Sequence, residues 1–322
     1  MYKMVAALAL TLALAGCQKA GLPVGPGTGS FGCAMSGVME GSPWIADYSA
    51  SLTSLRGTGC SVVSIPVDQS SDLSKLPAVL LKAHQLGFSI HVAPHNDAGG
   101  ADTANWPEVD FAGYANWFDK LCQECVNTDG TTYVNSVELW NEAEYNVAGD
   151  YWTPATTLYN NAPALCASVR HYLPTAQIIM PVPLDQSLEK AMDMQGYSTI
   201  VNDIKAMKPT AMSIHAYPTS NPENGVVSLD GRLAYASGLS TFIGLPVVFT
   251  EYGMGSSGSP VGDFYKGCAG WLRLHNTWGI AWQWYDVNGS DGLQLQGQTT
   301  ILSNMNTFVY TSAFGQGLNT QQ

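Results

Sequence analysis

The sequence predicts an α/β chain closed into a (β/α)8 TIM barrel, on three observations. Short apolar runs rich in β-branched and aromatic residues alternate with longer stretches of helical period, eight such runs can be counted, and polar residues end many of them rather than one. Alternation is the mark of a parallel sheet, because parallel neighbours need a crossover and a helix supplies it. Eight near-continuous hydrophobic strands, each followed by a helix, bury more when closed into a barrel than when left open. An open doubly wound sheet is the competing architecture. It would gather its chemistry at one switch point behind a glycine-rich phosphate turn, and no such turn follows the first run.

The expected strands are Phe31–Ser36, Cys60–Val67, Phe88–Pro94, Ser136–Trp140, Ile178–Val182, Ala211–Ala216, Val247–Thr250 and Gly279–Trp284. Helices are expected over Leu73–Leu86, Phe111–Cys125, Thr156–Tyr172, Tyr197–Met207 and Phe264–Thr277. The helix after the first strand opens at Ser42-Pro43, an N-cap followed by proline at the first helical position.

The ends organise the rest of the chain. Lys3, an apolar run from Met4 to Leu14 and the small residues Ala15 and Gly16 read as an export signal, too short to span a bilayer. It stops at Leu14-Ala15-Gly16-Cys17, which resembles the bacterial lipobox, in which the cysteine becomes the acylated first residue of the mature protein. Residues 1–16 are thus expected to be a lipoprotein signal peptide, residues 17–30 an acylated Cys17 with a tether of four glycines and two prolines, and residues 31–322 the catalytic barrel. The expected location is the bacterial cell envelope, with the protein held on the membrane by its lipid.

Composition excludes several partners. A net charge of −12 without a Lys/Arg cluster argues against nucleic acid, since nothing would displace counterions from phosphates. Charged residues are only 12% of the chain, so its surface is polar through Ser, Thr, Asn and Gln and suits a neutral ligand. A monomer is expected, with no cofactor and no metal. Besides Cys17 there are Cys33, Cys60, Cys122, Cys125, Cys166 and Cys268, an even number that favours disulfides in an exported chain. Cys122 and Cys125 form a CxxC, but no second pair at zinc-site spacing and no thioredoxin-like context accompanies it.

Two carboxylates stand out because each closes an apolar strand, Glu142 in Val137-Glu138-Leu139-Trp140-Asn141-Glu142 and Glu251 in Val247-Val248-Phe249-Thr250-Glu251-Tyr252-Gly253. Cleaving a glycosidic bond with retention needs such a pair, about 5 Å apart: one carboxylic acid protonates the leaving oxygen while the other, ionised, attacks the anomeric carbon. Strands four and seven of a closed barrel face one another across its mouth, so the pair can meet there.

Trp140-Asn141-Glu142 and Thr250-Glu251-Tyr252-Gly253 resemble the acid/base and nucleophile signatures of glycoside hydrolase clan A, family 5 or a sister family. Pro94-His95-Asn96 is similar to the His-Asn ending of the third strand in family 5, and His215-Ala216-Tyr217 to its sixth. The resemblance implies a retaining β-glycosidase with Glu142 as acid/base and Glu251 as nucleophile. It further implies that Asn141 binds the 2-hydroxyl beside the scissile bond, that Tyr217 contacts the nucleophile, that His95, Asn96 and His215 line the site, and that Trp282 or Trp284 floors it. The substrate implied is a β-linked glycan. One position departs: Ser64 stands where family 5 has an arginine that helps to keep the nucleophile ionised.

Other readings compete residue by residue. Glu138 lies within a strand and Glu144 two residues past the motif, so both read as structural or rim residues, and His91 alternates with apolar neighbours as a packed core histidine would. Trp44, Trp106, Trp152 and Tyr145 could be core or could line a sugar groove. A surface glycan-binding lipoprotein on the same barrel is the alternative function. A metal hydrolase is disfavoured, because His91 and His95 are spaced i, i+4 on a strand, too far apart for one zinc.

Overall fold

The computed structural model describes residues 31–35, 48–69, 71–95, 111–141, 152–181, 197–216, 236–238, 240–253 and 261–281. Within them the chain forms a closed barrel of eight strands in sequence order. These are β1 Phe31–Ala34, β2 Val62–Val67, β3 Ser89–Pro94, β4 Val134–Glu138, β5 Gln177–Pro181, β6 Ala211–Ala216, β7 Val247–Tyr252 and β8 Gly279–Ala281. Every neighbouring pair is parallel, and β1 closes the ring against β8. Around it lie α1 Tyr48–Gly57, α2 Leu76–Gln85, α3 Phe111–Glu124, α4 Trp152–Tyr172, α5 Tyr197–Met207 and α6 Val261–Leu274. The barrel expected from the alternating pattern is therefore the fold. Residues 1–30, with the signal, tether and Cys17, and the Ser42-Pro43 helix start lie outside the described residues.

Two apolar cores follow from the period-2 alternation of the strands. Outward residues such as Val63, Ile65, Ile90, Val92, Val137 and Phe249 pack against Leu55, Leu80, Phe118, Leu165 and Leu272 of the helices. Inside the barrel, Ala34, Val62, Ile179, Ala211, Val248, Trp278 and Ile280 form a separate floor. That floor is tight enough to need glycine on β1, since a Cβ at Gly32 would come within 2.7 Å of both Ile280 and Val62.

Helix ends are set by local chemistry. α2 stops in a left-handed Gly87 (φ 76°), where Phe88 N–H donates to Ala83 C=O and Gly87 N–H to His84 C=O, delivering the chain straight into β3. α6 stops the same way on Asn276 (φ 57°), with Thr277 N–H donating to Leu272 C=O. The pattern-based expectation ran this helix on to Thr277, because asparagine gives a weaker stop signal than glycine.

The disulfide expectation is corrected. Cys60, Cys122, Cys125, Cys166 and Cys268 are all free and buried, packed as small apolar side chains between barrel and helices. Burial pushes the Cys60 thiol up to about 12 and the Cys166 thiol to about 11, which suppresses the thiolate that disulfide chemistry requires. These five cysteines serve packing rather than pairing, and the side chain of Cys33, the sixth, lies outside the described residues.

Candidate active site

The barrel interior changes from apolar to polar one level above its floor. Ser64, His91, Ser136, Glu138, Ser213 and Thr250 are all buried there. Ser64 stands in register between Ala34 and His91. Glu138, 1% exposed, is the centre of this layer. Its Oε1 accepts from Ser213 Oγ at 2.5 Å and from Thr250 Oγ1 at 3.0 Å, and its Oε2 lies 3.6 Å from His91 Nε2. His91 is held in turn by Ser136 Oγ, 3.0 Å from its Nδ1, and its ring lies 5.3 Å from that of Trp278 on the floor. Burial opposes the charge on Glu138, but His91, with help from His215 and Ser213, outweighs it and holds the carboxyl below its ordinary value.

Glu251 sits above this layer at the C-terminal end of β7, the end at which barrel enzymes carry their chemistry. Its Oε1 lies 3.6 Å from His95 Nε2 and its Oε2 3.3 Å from His215 Nδ1. The carboxylate is 6% exposed, so the two imidazoles grip it in a site largely closed to water. The fold thus brings Glu251, His95 and His215 together at the ends of β7, β3 and β6.

A bulge aims Glu251. Ile214 pairs with Phe249 and His215 with Glu251, while on the other side Phe249 pairs with Gly279 and Tyr252 with Ala281, so β7 carries one residue more than either neighbour. An extra residue bends the strand and re-aims side chains. Thr250 and Glu251 consequently both serve the interior, although strict alternation would turn one outward. β4 has a similar irregularity: Ile90 pairs with Val134 and His91 with Ser136, and Asn135 Oδ1 accepts from Ile90 N–H at 2.8 Å.

Asn141 follows β4, and its Oδ1 is buried without a hydrogen bond from any described residue. Trp140 packs outward, with Tyr159 edge-on at 5.7 Å. Glu142, Asn96, Tyr217, Trp282, Trp284 and the candidates Trp44, Trp106, Tyr145 and Glu144 lie outside the described residues, and of Trp152 only the backbone is described. Among the described residues no three His, Cys, Asp or Glu side chains gather as a metal-binding group. Rather than sharing a ligand, His91 meets Glu138 and His95 meets Glu251.

Sequence reasoning read Glu138 and His91 singly, as structural residues, and missed that they are partners. The available signal was their common parity: each sits four residues before a strand-end site residue, Glu142 or His95. Asp68, buried just past β2 with Oδ1 accepting from Ser71 Oγ at 3.1 Å, was also missed.

Solved structures similar to this fold include glycoside hydrolases. PbGH5A, a glycoside hydrolase family 5 enzyme from Prevotella bryantii B14, superposes with a TM-score of 0.59 at 20% identity, covering 81% of this chain and 86% of its own. The catalytic domain of a mannanase from Streptomyces sp. SirexAA-E gives 0.58 at 17% identity over 83% and 78%. Endoglucanase Cel5A from Thermotoga maritima gives 0.63 at 12% identity over 86% and 97%. Comparison with curated protein sequences finds no match. The family model for cellulase (glycosyl hydrolase family 5) matches residues 39–291, from before the first described helix to beyond the last strand, and the chain therefore belongs to that family of glycosyl hydrolases.

Proposed function

We propose that this protein is a retaining β-glycosidase in which Glu251 is the nucleophile and Glu142 the acid/base. The observation that carries the reading is Glu251 itself, a nearly enclosed carboxylate at the barrel mouth between His95 and His215. Such a group can attack an anomeric carbon while Glu142 gives its proton to the departing oxygen. The glycosyl ester so formed is then hydrolysed by water, which Glu142 deprotonates on the return step. Asn141 supports the assignment, because its buried acceptor is suited to a hydroxyl donated by the sugar next to the scissile bond.

The substrate we infer is a β-linked polysaccharide or oligosaccharide. Structural relatives have been captured with a xyloglucan tetradecasaccharide and with mannotriose, which favours plant-type β-glucans and mannans as the first class to try. The enzyme is proposed to work in the cell envelope, anchored through acylated Cys17 and acting as a monomer. Cys17→Ser should then release it from the membrane fraction with unchanged specific activity, and wild-type protein that is wholly soluble and carries no acyl mass would refute the anchor.

The deciding experiment is hydrolysis of cellulose oligomers, xyloglucan and mannan read by product length and anomeric configuration. Glu251→Gln should lower turnover by at least about 10⁴-fold with the fold intact, as loss of a nucleophile does. Glu142→Ala should retain activity on substrates with good leaving groups and, with azide, yield a β-glycosyl azide. Glycan binding without cleavage by the unmodified protein would show a binding protein instead.

A further inference from the structure

The proposed mechanism leaves a second interior carboxylate unused. Glu138 draws partners from three other strands, His91 on β3, Ser213 on β6 and Thr250 on β7. A position that had only to fill volume would be served as well by leucine, since a buried ion pair seldom outperforms well-packed apolar residues. Two of its partners belong to the chain segments that present the site above: Thr250 directly precedes Glu251, and Ser213 precedes His215 by two residues. Period 2 puts Ser213 and His215 on the same inward face of β6, so the imidazole stands one level above the Glu138 carboxylate. His215 thus meets Glu251, with Nδ1 3.3 Å from its Oε2, and stands two residues beyond the Ser213 that donates to Glu138, close enough for its charge to be felt there. Ser64, where the family pattern has arginine, contributes no cation to this layer.

We propose that Glu138 is a positioning residue of the active site: with Glu251 it holds His215 as an imidazolium, and this buried cation does for Glu251 what the second-strand arginine does in the family pattern. The inference rests on Glu251 being the nucleophile. Among the described residues the titratable groups facing this assembly are Glu138, Glu251, His91 and His95, with the Tyr114 hydroxyl near enough to feel the charge of Glu138. His91 meets Glu138 and His95 meets Glu251, whereas His215 meets Glu251 and its charge also acts on Glu138. A cation within hydrogen-bonding range of a carboxylate weakens its hold on a proton by about 10- to 1,000-fold. Removing the charge of Glu138 weakens the imidazolium and, through it, the ionisation of Glu251. Direct repulsion between the carboxylates would act the other way, so the sign of the effect separates the two routes.

The test compares pH profiles of kcat/KM for wild type, Glu138→Gln and Thr250→Val on 2,4-dinitrophenyl β-cellobioside, whose leaving group needs no acid. Glu138→Gln should move the acidic limb upward by about one unit, a tenfold loss at a fixed pH below the limb. Thr250→Val, which removes a hydrogen bond and no charge, should lower the plateau without moving the limb. A limb that stays in place or moves down in Glu138→Gln overturns the proposal. Should that variant not fold, nitrogen-15 NMR of histidine-labelled wild-type protein decides: the signal lost in His215→Asn should be an imidazolium at pH 7, and a neutral ring there overturns the proposal equally. Because the spectrum needs no turnover, failure to cleave any glycoside would count against the glycosidase reading alone.

Discussion

Thr250 donates to Glu138 at 3.0 Å while its neighbour Glu251 reaches His215 at 3.3 Å, so consecutive residues of one strand serve two successive levels of the barrel interior. The extra residue of β7 makes this possible, and the hydroxyl of Thr250 ties the bulge to the carboxylate below. Thr250→Val keeps the branched shape and removes the donor. Leaving one lone pair of a buried carboxylate unmatched should cost about 1–3 kcal/mol, read as a lower urea midpoint with unchanged slope. A midpoint equal to wild type would show that the hydroxyl does not hold the bulge.

The floor beneath these levels leaves no room at Gly32. A methyl group there would meet Val62 Cβ and Ile280 Cδ1 at 2.7 Å and the Val62 carbonyl oxygen at 2.8 Å, and a carbonyl cannot swing aside as a side-chain terminus can. Overpacking of this kind costs about 1–3 kcal/mol. Gly32→Ala should therefore lower Tm, and Gly32→Ala combined with Ile280→Val should recover part of the loss by freeing the Cδ1 contact.

Strand order, barrel closure and the mouth position of Glu251 were legible because they depend on alternation and on residue type at strand ends. Helix α5 runs over Tyr197–Met207 as its periodicity predicts. β4 begins at Val134, two residues before the expected Ser136, since Asn135 interrupts the apolar run while its side chain substitutes for a backbone acceptor opposite Ile90. β7 runs past Thr250 to Tyr252 because the bulge lets a glutamate continue the strand without leaving the interior. The polar interior level was the least legible part. Ser64, His91, Glu138 and Ser213 are single polar letters in apolar runs, and their meaning lies in contacts across strands that no one strand displays.

The cysteines give a direct chemical check. Cys60, Cys122, Cys125, Cys166 and Cys268 are buried free thiols, so these five should react little with Ellman's reagent in the native protein. Unfolding in guanidinium without reductant should release at least those five thiols. Fewer than five in freshly purified protein would revive the disulfide reading, and a peptide map under non-reducing conditions would identify the pair.

The charge on Glu138 predicts how stability depends on pH. Its carboxyl lies below its ordinary value in the fold because the contacts from His91, His215 and Ser213 outweigh burial. Between the folded value and the unfolded value of about 4.3, the unfolded chain binds more protons than the folded one, so stability rises with pH across that window. The contribution is therefore complete above the unfolded value and is lost as pH falls through the folded one. Glu138→Gln keeps the shape and one acceptor but faces Ser213, Thr250 and His91 with an uncharged amide, a loss of about 1–3 kcal/mol for hydrogen bonds to a buried charged group. Thermal unfolding of wild type and Glu138→Gln between pH 3 and pH 7 should show the widest gap in Tm near neutrality, narrowing as the solution is acidified. A gap that stays constant over the whole range would mean that Glu138 is already protonated in the folded barrel, and that its contacts with Ser213 and Thr250 are those of a neutral acid.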